Sequence, residues 1–292
     1  MDNNTDLVKK RKNRLDSVFL VILMSLLLLT LGQIAGMPIL AYGTAAADEQ
    51  PALYTICSYA YFIGIWVVFL AFMALYKPDR PLLRKLLPGG SNTLKLFLLG
   101  IAAGFVTNGI CILVSALRGD IHLLFQPDGF LPIILCFFAV LIQSGAEELV
   151  CRHYMQRHLA RRYKAAWVSI LIPSLTFSAL HLANPGVTAL SLANIGVIGL
   201  VYSLAIYYFD SFWMTAAMHA SWNYTQNILF GLPNSGLVMP LSVFKLDAST
   251  AVDSFSYNVA FGVEGTVLAL IVNVMLGVVI VVLGRKRRSA TA

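Results

Sequence analysis

Eight apolar runs divide the chain: residues 18–42, 52–76, 96–117, a run from 129 that carries an acidic pair near its end, then 165–183, 187–209, 212–230 and 266–283. Each approaches the ~20 residues a helix needs to cross the hydrocarbon core of a bilayer. The predicted fold is an all-α polytopic membrane protein with about eight transmembrane helices, forming a single membrane-embedded domain over residues 1–292. A polar loop over residues 231–265 precedes the last run, and residues 130–230, helices 4 to 7, hold the groups of chemical interest.

Composition agrees with this pattern. Of the 292 residues, 58% are hydrophobic and 12% charged, with a mean hydropathy of +0.76. Soluble domains carry about 25% charged residues. The net charge of +7 does not point to nucleic acid, because the basic residues flank apolar runs as topology signals do. All of the 21 Lys and Arg residues except Arg118 and Lys245 fall in four segments that eight crossings put on one side. Both termini are therefore expected in the cytoplasm. The expected location is a plasma membrane if the host is a bacterium, with the lipid bilayer as the surrounding partner.

The first run follows Lys9, Lys10, Arg11, Lys12 and Arg14, and Ala45-Ala46-Ala47 resembles a signal-peptide cleavage site. The run exceeds the ~7–15 residues of a signal core, so a retained span is expected. Cys57, Cys111, Cys136 and Cys151 occur singly, without CxxC spacing, and read as small buried residues. Gly32 with Gly36, and Gly100 with Gly104, match the small-xxx-small pattern of close helix packing.

Inside the apolar runs the ionisable side chains reduce to Glu147, Glu148, His181 and His219, with Arg152 at the edge. A charge at bilayer depth costs at least ~2.5–3.5 kcal/mol, which makes an intramembrane acid a candidate functional group. A turn at residues 162–165 pairs positions symmetric about it and sets Glu147 level with His181, about 25 Å from the turn at ~1.5 Å per residue. The fourth helix must then project beyond the membrane on its basic side. A turn at Asp210-Ser211 puts His219 about 13 Å up the seventh helix, leaving a difference of about 10 Å for tilt or a kink at Pro173 to absorb.

Glu148 and Arg152 stand i, i+4 with the acid first, so Arg152 is expected to neutralise Glu148. Glu147 has no such partner and is the candidate base. Each histidine alone also reads as a core residue bonded to a carbonyl. His122, His153 and His158 lie in polar or basic flanks and are expected at the surface, while packing or loop capping accounts for Phe177 and Asn184.

A buried glutamate beside a histidine suits activation of water, since desolvation brings the acid toward neutrality. His219 with Asn223 one turn on supplies two donors for an oxyanion. The same set, Glu147, His181 and His219, can alternatively hold zinc with an open position for water. No His-Glu-x-x-His is present, and spacing does not separate the two versions.

Three stretches in order, Glu147-Glu148-Leu149-Val150-Cys151-Arg152, Phe177-Ser178-Ala179-Leu180-His181 and His219-Ala220-Ser221-Trp222-Asn223, resemble the motifs Glu-Glu-x-x-x-Arg, Phe-x-x-x-His and His-x-x-x-Asn. These motifs belong to the CAAX protease and bacteriocin-processing family of intramembrane proteases, which includes Rce1-like enzymes. The resemblance covers residues 130–230. It implies a glutamate-type or metal-dependent endopeptidase acting on a membrane-bound protein or peptide. Glu147 and His181 would activate water, His219 and Asn223 would stabilise the oxyanion, and Glu148 and Arg152 would support the site. The alternative is a membrane regulator or immunity protein that uses the polar cluster structurally. A proton-coupled transporter is disfavoured by the lack of a repeat or of paired broken helices.

Overall fold

The computed structural model describes residues 14–291; Lys9, Lys10, Arg11 and Lys12 lie outside the described residues. The helices are α1 Val18–Ala45, α2 Pro51–Ala60, α3 Ile63–Leu75, α4 Arg80–Arg84, α5 Leu94–Leu117, α6 Phe130–Glu148, α7 Arg157–Arg162, α8 Ala166–Ala179, α9 Ala189–Phe209, α10 Phe212–Asn223 and α11 Val267–Thr291. A two-stranded antiparallel ribbon, β1 Leu123–Phe125 with β2 Phe244–Leu246, ties the polar loop to the end of α5. The protein is an all-α polytopic membrane protein.

All eight predicted runs are helical, but they differ in length. Among the described residues, six segments are long and apolar enough to cross a membrane: Val18–Ala45, Pro51–Leu75, Leu94–Leu117, Phe130–Arg162, Ala189–Phe209 and Val267–Ser289. The fifth and seventh predicted spans are shorter. Helix α8 stops at Ala179, before Asn184-Pro185-Gly186, where Gly186 takes φ 68° and the chain turns. Helix α10 has 12 residues and is continued by a π-helical segment, Tyr224–Leu229. The fourth segment spans 33 residues, about 50 Å at ~1.5 Å per residue, so it does outrun a ~30 Å hydrocarbon core. It too contains a π-helical segment, Leu149–Gln156, which joins α6 to α7.

The expected glycine packing holds. A Cβ on Gly36 would lie 2.0 Å from the Tyr61 carbonyl oxygen, where the second span breaks between α2 and α3. A Cβ on Gly100 or Gly104 would lie 2.3 or 2.2 Å from the carbonyl oxygens of Met214 and Met218. Backbone contact between α5 and α10 therefore depends on the absence of side chains at these two positions. Outward faces carry exposed apolar residues such as Phe19, Leu117 and Phe130, while Asn108, Ser144, Glu148, Arg152 and Gln226 are buried. The four cysteines are free and buried, as expected.

Two histidines depart from expectation. His122 is exposed, but His153 and His158 are fully buried. Their helix projects past the apolar run and is covered there by the turns at Arg14–Asp16 and Lys77–Asp79. His158 sets Nδ1 2.7 Å from Asp16 Oδ1 and Nε2 3.1 Å from Asp79 Oδ2, and Arg161 donates to Asp79 Oδ1 at 2.7 Å. Burial alone would raise the Asp79 carboxyl, but the bonds from His158 and Arg161 hold it below its ordinary value. His153 sets Nε2 2.9 Å from the Leu82 carbonyl oxygen. A flank rich in charge has become an interior because the charges pair with one another.

Candidate active site

Helices α6 and α10 bring the two ends of the site together. Ser211 caps α10 by accepting from the Met214 N–H, and the left-handed Asp210, φ 51°, turns the chain out of α9. Both helices widen into π-helical segments immediately after a motif residue, Glu148 in one and Asn223 in the other. Such segments are rare and frequently mark functional sites.

At the buried end of the site, Glu148 Oε1 accepts from Arg152 Nη1 at 2.9 Å, with both side chains fully buried. The expected pairing is therefore present. Arg152 also donates to the Gly199 carbonyl at 3.2 Å, and its guanidinium lies 4.3 Å from the Phe177 ring centroid. The same Glu148 oxygen lies 2.9 Å from His219 Nδ1. A carboxylate paired with arginine only accepts, so Nδ1 carries the hydrogen and Nε2 is the nitrogen turned elsewhere. That Nε2 stands 3.7 Å from Glu147 Oε2. The Tyr202 ring stacks on the His219 ring at 5.2 Å between centroids.

Glu147 does have a partner: Gln143, one turn earlier, donates from Nε2 to Glu147 Oε1 at 2.6 Å. Asn223 donates to Gln143 Oε1 at 3.3 Å and to Ser144 Oγ at 3.2 Å. His181 lies just past the end of α8, with Nδ1 2.8 Å from the Phe177 carbonyl oxygen. The carbonyl accepts, which leaves His181 Nε2 free of that bond. No hydrogen bond or ion pair joins His181 to Glu147, but both line one cavity of about 410 Å3, together with His219 and Asn223.

The polar loop contributes a residue that the pattern of the apolar runs did not reveal. Glu264, on the same cavity wall, accepts at Oε1 from Asn234 Nδ2, from Gln226 Nε2 at 3.1 Å and from the Ser235 N–H at 3.0 Å. Its Oε2 accepts from Ser235 Oγ at 3.1 Å. Burial pushes this carboxyl up to about 7, against the pull of the Ser235 and Asn234 donors and the nearby His219. The apolar pattern does not mark Glu264, because this acid lies in the polar loop and not within an apolar run. Gln143 was within reach, since it stands i, i+4 to Glu147.

Zinc needs its ligands gathered at about 2 Å from one point. Among the described residues, no three His, Cys, Asp or Glu side chains stand close enough together to hold a metal ion. The set Glu147, His181 and His219 has the right donor types but, as arranged, does not form a metal site.

The order and spacing of these residues have a counterpart among known proteins. Residues 128–225 match the family model described as type II CAAX prenyl endopeptidase Rce1-like. No curated protein and no solved structure matches the chain. The matched stretch runs from the start of α6 past Asn223 and so holds all three motifs. Through this core the chain is similar to the type II CAAX prenyl endopeptidases of the Rce1-like kind.

Proposed function

We propose that the chain is an intramembrane endopeptidase in which Glu147, assisted by His181, activates a water molecule. The match of residues 128–225 to the Rce1-like model supports a protease, and the apolar spans support one acting in a membrane. The assignment of roles within the site is our reading. Glu147 takes a proton from water while the water oxygen bonds to the scissile carbonyl carbon. The carbonyl oxygen becomes an oxyanion, which Asn223 Nδ2 stabilises by donating to it, joined by His219 when its Nε2 also carries a proton. The C–N bond then breaks, and the proton held by Glu147 passes to the leaving amine, giving a carboxylic acid and an amine; transfer of the acid's proton to the amine leaves a carboxylate and an ammonium.

The observation that carries this reading is the separation of duties between two adjacent acids. Glu148 is consumed by Arg152 and His219, whereas Glu147 borders the cavity with 3.7 Å between Oε2 and His219 Nε2. The two donors from Asn223 are long, 3.3 and 3.2 Å, and the bond to Ser144 is the one it gives up to hold the oxyanion. Resting-state bonds that tighten only in the reacting complex are common in enzymes. No step here requires a metal.

The charge pattern supports cytoplasmic termini, with the basic end of the fourth segment on that side. The substrate class is then a membrane-bound protein or peptide that reaches the cavity from within the bilayer. The test is cleavage of a quenched-fluorescent hydrophobic peptide by the purified full chain in detergent. Loss of cleavage in Glu147→Ala, His181→Ala and His219→Ala, with folding retained, supports the assignment. Full biological activity in all three would instead favour a regulator that uses the cluster as structure.

A further inference from the structure

A continuous run of side-chain hydrogen bonds connects two carboxylates that lie far apart in sequence. Asn234 Nδ2 donates to Glu264 Oε1 and, at 3.4 Å, to Asn223 Oδ1. Asn223 Nδ2 donates to Gln143 Oε1 at 3.3 Å, and Gln143 Nε2 donates to Glu147 Oε1 at 2.6 Å. The members come from the polar loop, α10 and α6 in turn. Each amide has a donor end and an acceptor end, so the run has a direction.

That direction is set at the Glu264 end. A carbonyl oxygen turned toward Glu264 Oε1 would face an atom that already accepts from Gln226 and the Ser235 N–H. Asn234 must therefore present its NH2. Asn223 must then present oxygen to Asn234 and NH2 to Gln143. Gln143 in turn must present oxygen to Asn223 and NH2 to Glu147. Ser144 reinforces the last choice by donating to Gln143 Oε1 at 2.9 Å. Protonation of Glu264 on Oε2 leaves this order unchanged, because the three donors meet on Oε1.

We propose that Glu264 is a positioning residue for Glu147, acting through Asn234, Asn223 and Gln143 to keep a hydrogen-bond donor on the Glu147 carboxylate. The proposal rests on the reading of Glu147 as the base. The bond holds one carboxylate oxygen in place and leaves the other, Oε2, turned toward His219 Nε2 and open to the water that reading places in the cavity. A base held in one geometry loses less on reaching the transition state than one that samples several.

The test is a double-mutant cycle on the full chain in detergent with the same fluorogenic peptide, joining Glu264→Leu and Gln143→Met. Each single variant is expected to lower kcat about tenfold with KM within about twofold, and the double variant is expected to be no slower than the worse single. Glu264→Gln keeps an acceptor facing Asn234 and should stay within about threefold of the parent, as should Ser235→Ala, which removes only the Oε2 contact. Effects that multiply to about a hundredfold, or that fall on KM alone, would overturn the proposal and assign Glu264 to anchoring of the loop. If Glu264→Leu does not fold, Asn234→Ala replaces it in the cycle, since it cuts the same link and leaves the Gln226 and Ser235 bonds in place.

A second readout does not need turnover. Dicyclohexylcarbodiimide labels carboxyl groups in apolar surroundings, and peptide mass spectrometry reports its addition to Glu147. Labelling at Glu147 should rise severalfold in Gln143→Met and in Glu264→Leu but not in Glu264→Gln. Unchanged labelling overturns the proposal. If the parent protein cleaves no peptide while labelling follows this pattern, the chain of bonds stands and the protease assignment fails.

Discussion

His219 and Glu148 meet at 2.9 Å, ring Nδ1 to carboxylate Oε1, and this contact joins α10 to the end of α6. Because Glu148 also holds Arg152, one buried acid fixes both a guanidinium and an imidazole. The adjacent acid is thereby left to line the cavity. The two glutamates should respond differently to the same substitution.

Glu147→Gln is expected to fold with nearly unchanged stability and to lose cleavage. Glu148→Gln is expected to lose stability as well. Removing one partner of a buried ion pair costs roughly 3–5 kcal/mol, because the remaining charge is stranded. Unfolding in detergent, followed by circular dichroism, separates the two: a midpoint shift for Glu148→Gln and little for Glu147→Gln.

Gly104 controls where His219 sits. A Cβ at this position would stand 2.2 Å from the Met218 carbonyl oxygen and 2.9 Å from the Trp222 N–H nitrogen, so Gly104→Ala must push α5 away from α10. The expected cost is roughly 1–3 kcal/mol, the range for overpacking. Cleavage should fall with it, since α10 carries both His219 and Asn223. Gly109→Ala on the same helix, where a Cβ meets no atom within 4 Å, is the control and should be neutral in both measurements.

Glu264 gives stability a pH dependence of definite sign. Its carboxyl is raised from 4.5 to about 7 by burial, so the folded state holds its proton more tightly than the unfolded chain does. Its contribution is fully present below about pH 4.5 and is lost as pH rises through about 7, a change of about 3 kcal/mol at ~1.4 kcal/mol per unit. The midpoint of thermal unfolding in detergent should fall between pH 5 and pH 8 by more in the parent than in Glu264→Gln. Equal slopes would contradict the assignment.

Chelation should leave cleavage unchanged. Glu147, His181 and His219 are not gathered as a metal site, and the proposed steps use only side chains and water. Incubation with EDTA or 1,10-phenanthroline, followed by the peptide assay, checks this; loss of activity that zinc restores would require a rearranged, metal-bound site.

Much of this arrangement was readable from the chain alone, for identifiable reasons. Apolar runs report lipid contact directly, so the helices and the long projecting fourth segment followed from pattern. The pairing of Glu148 with Arg152 followed from helical spacing; Glu147 and His181, expected level on facing helices, both line one cavity, but His181 lies past the end of α8. What spacing could not supply was tertiary. His153 and His158 are interior because segments remote in sequence cover them. Likewise, Glu264 and Asn234 reach the cavity only because the polar loop folds back over it, held by Asn194 donating to the carbonyls of Glu264 and Thr266. The shortness of α8 and α10 was equally hidden, since composition does not record that a helix gives way to a turn or a π-helical segment before its apolar run ends.

The central claim is that Glu147 is the base, and the most direct measurement compares peptide cleavage by the parent protein and by folded Glu147→Gln at equal concentration. The account predicts a loss of roughly a hundredfold to ten-thousandfold in kcat, the usual worth of a general base. Cleavage by Glu147→Gln at the parental rate would contradict it.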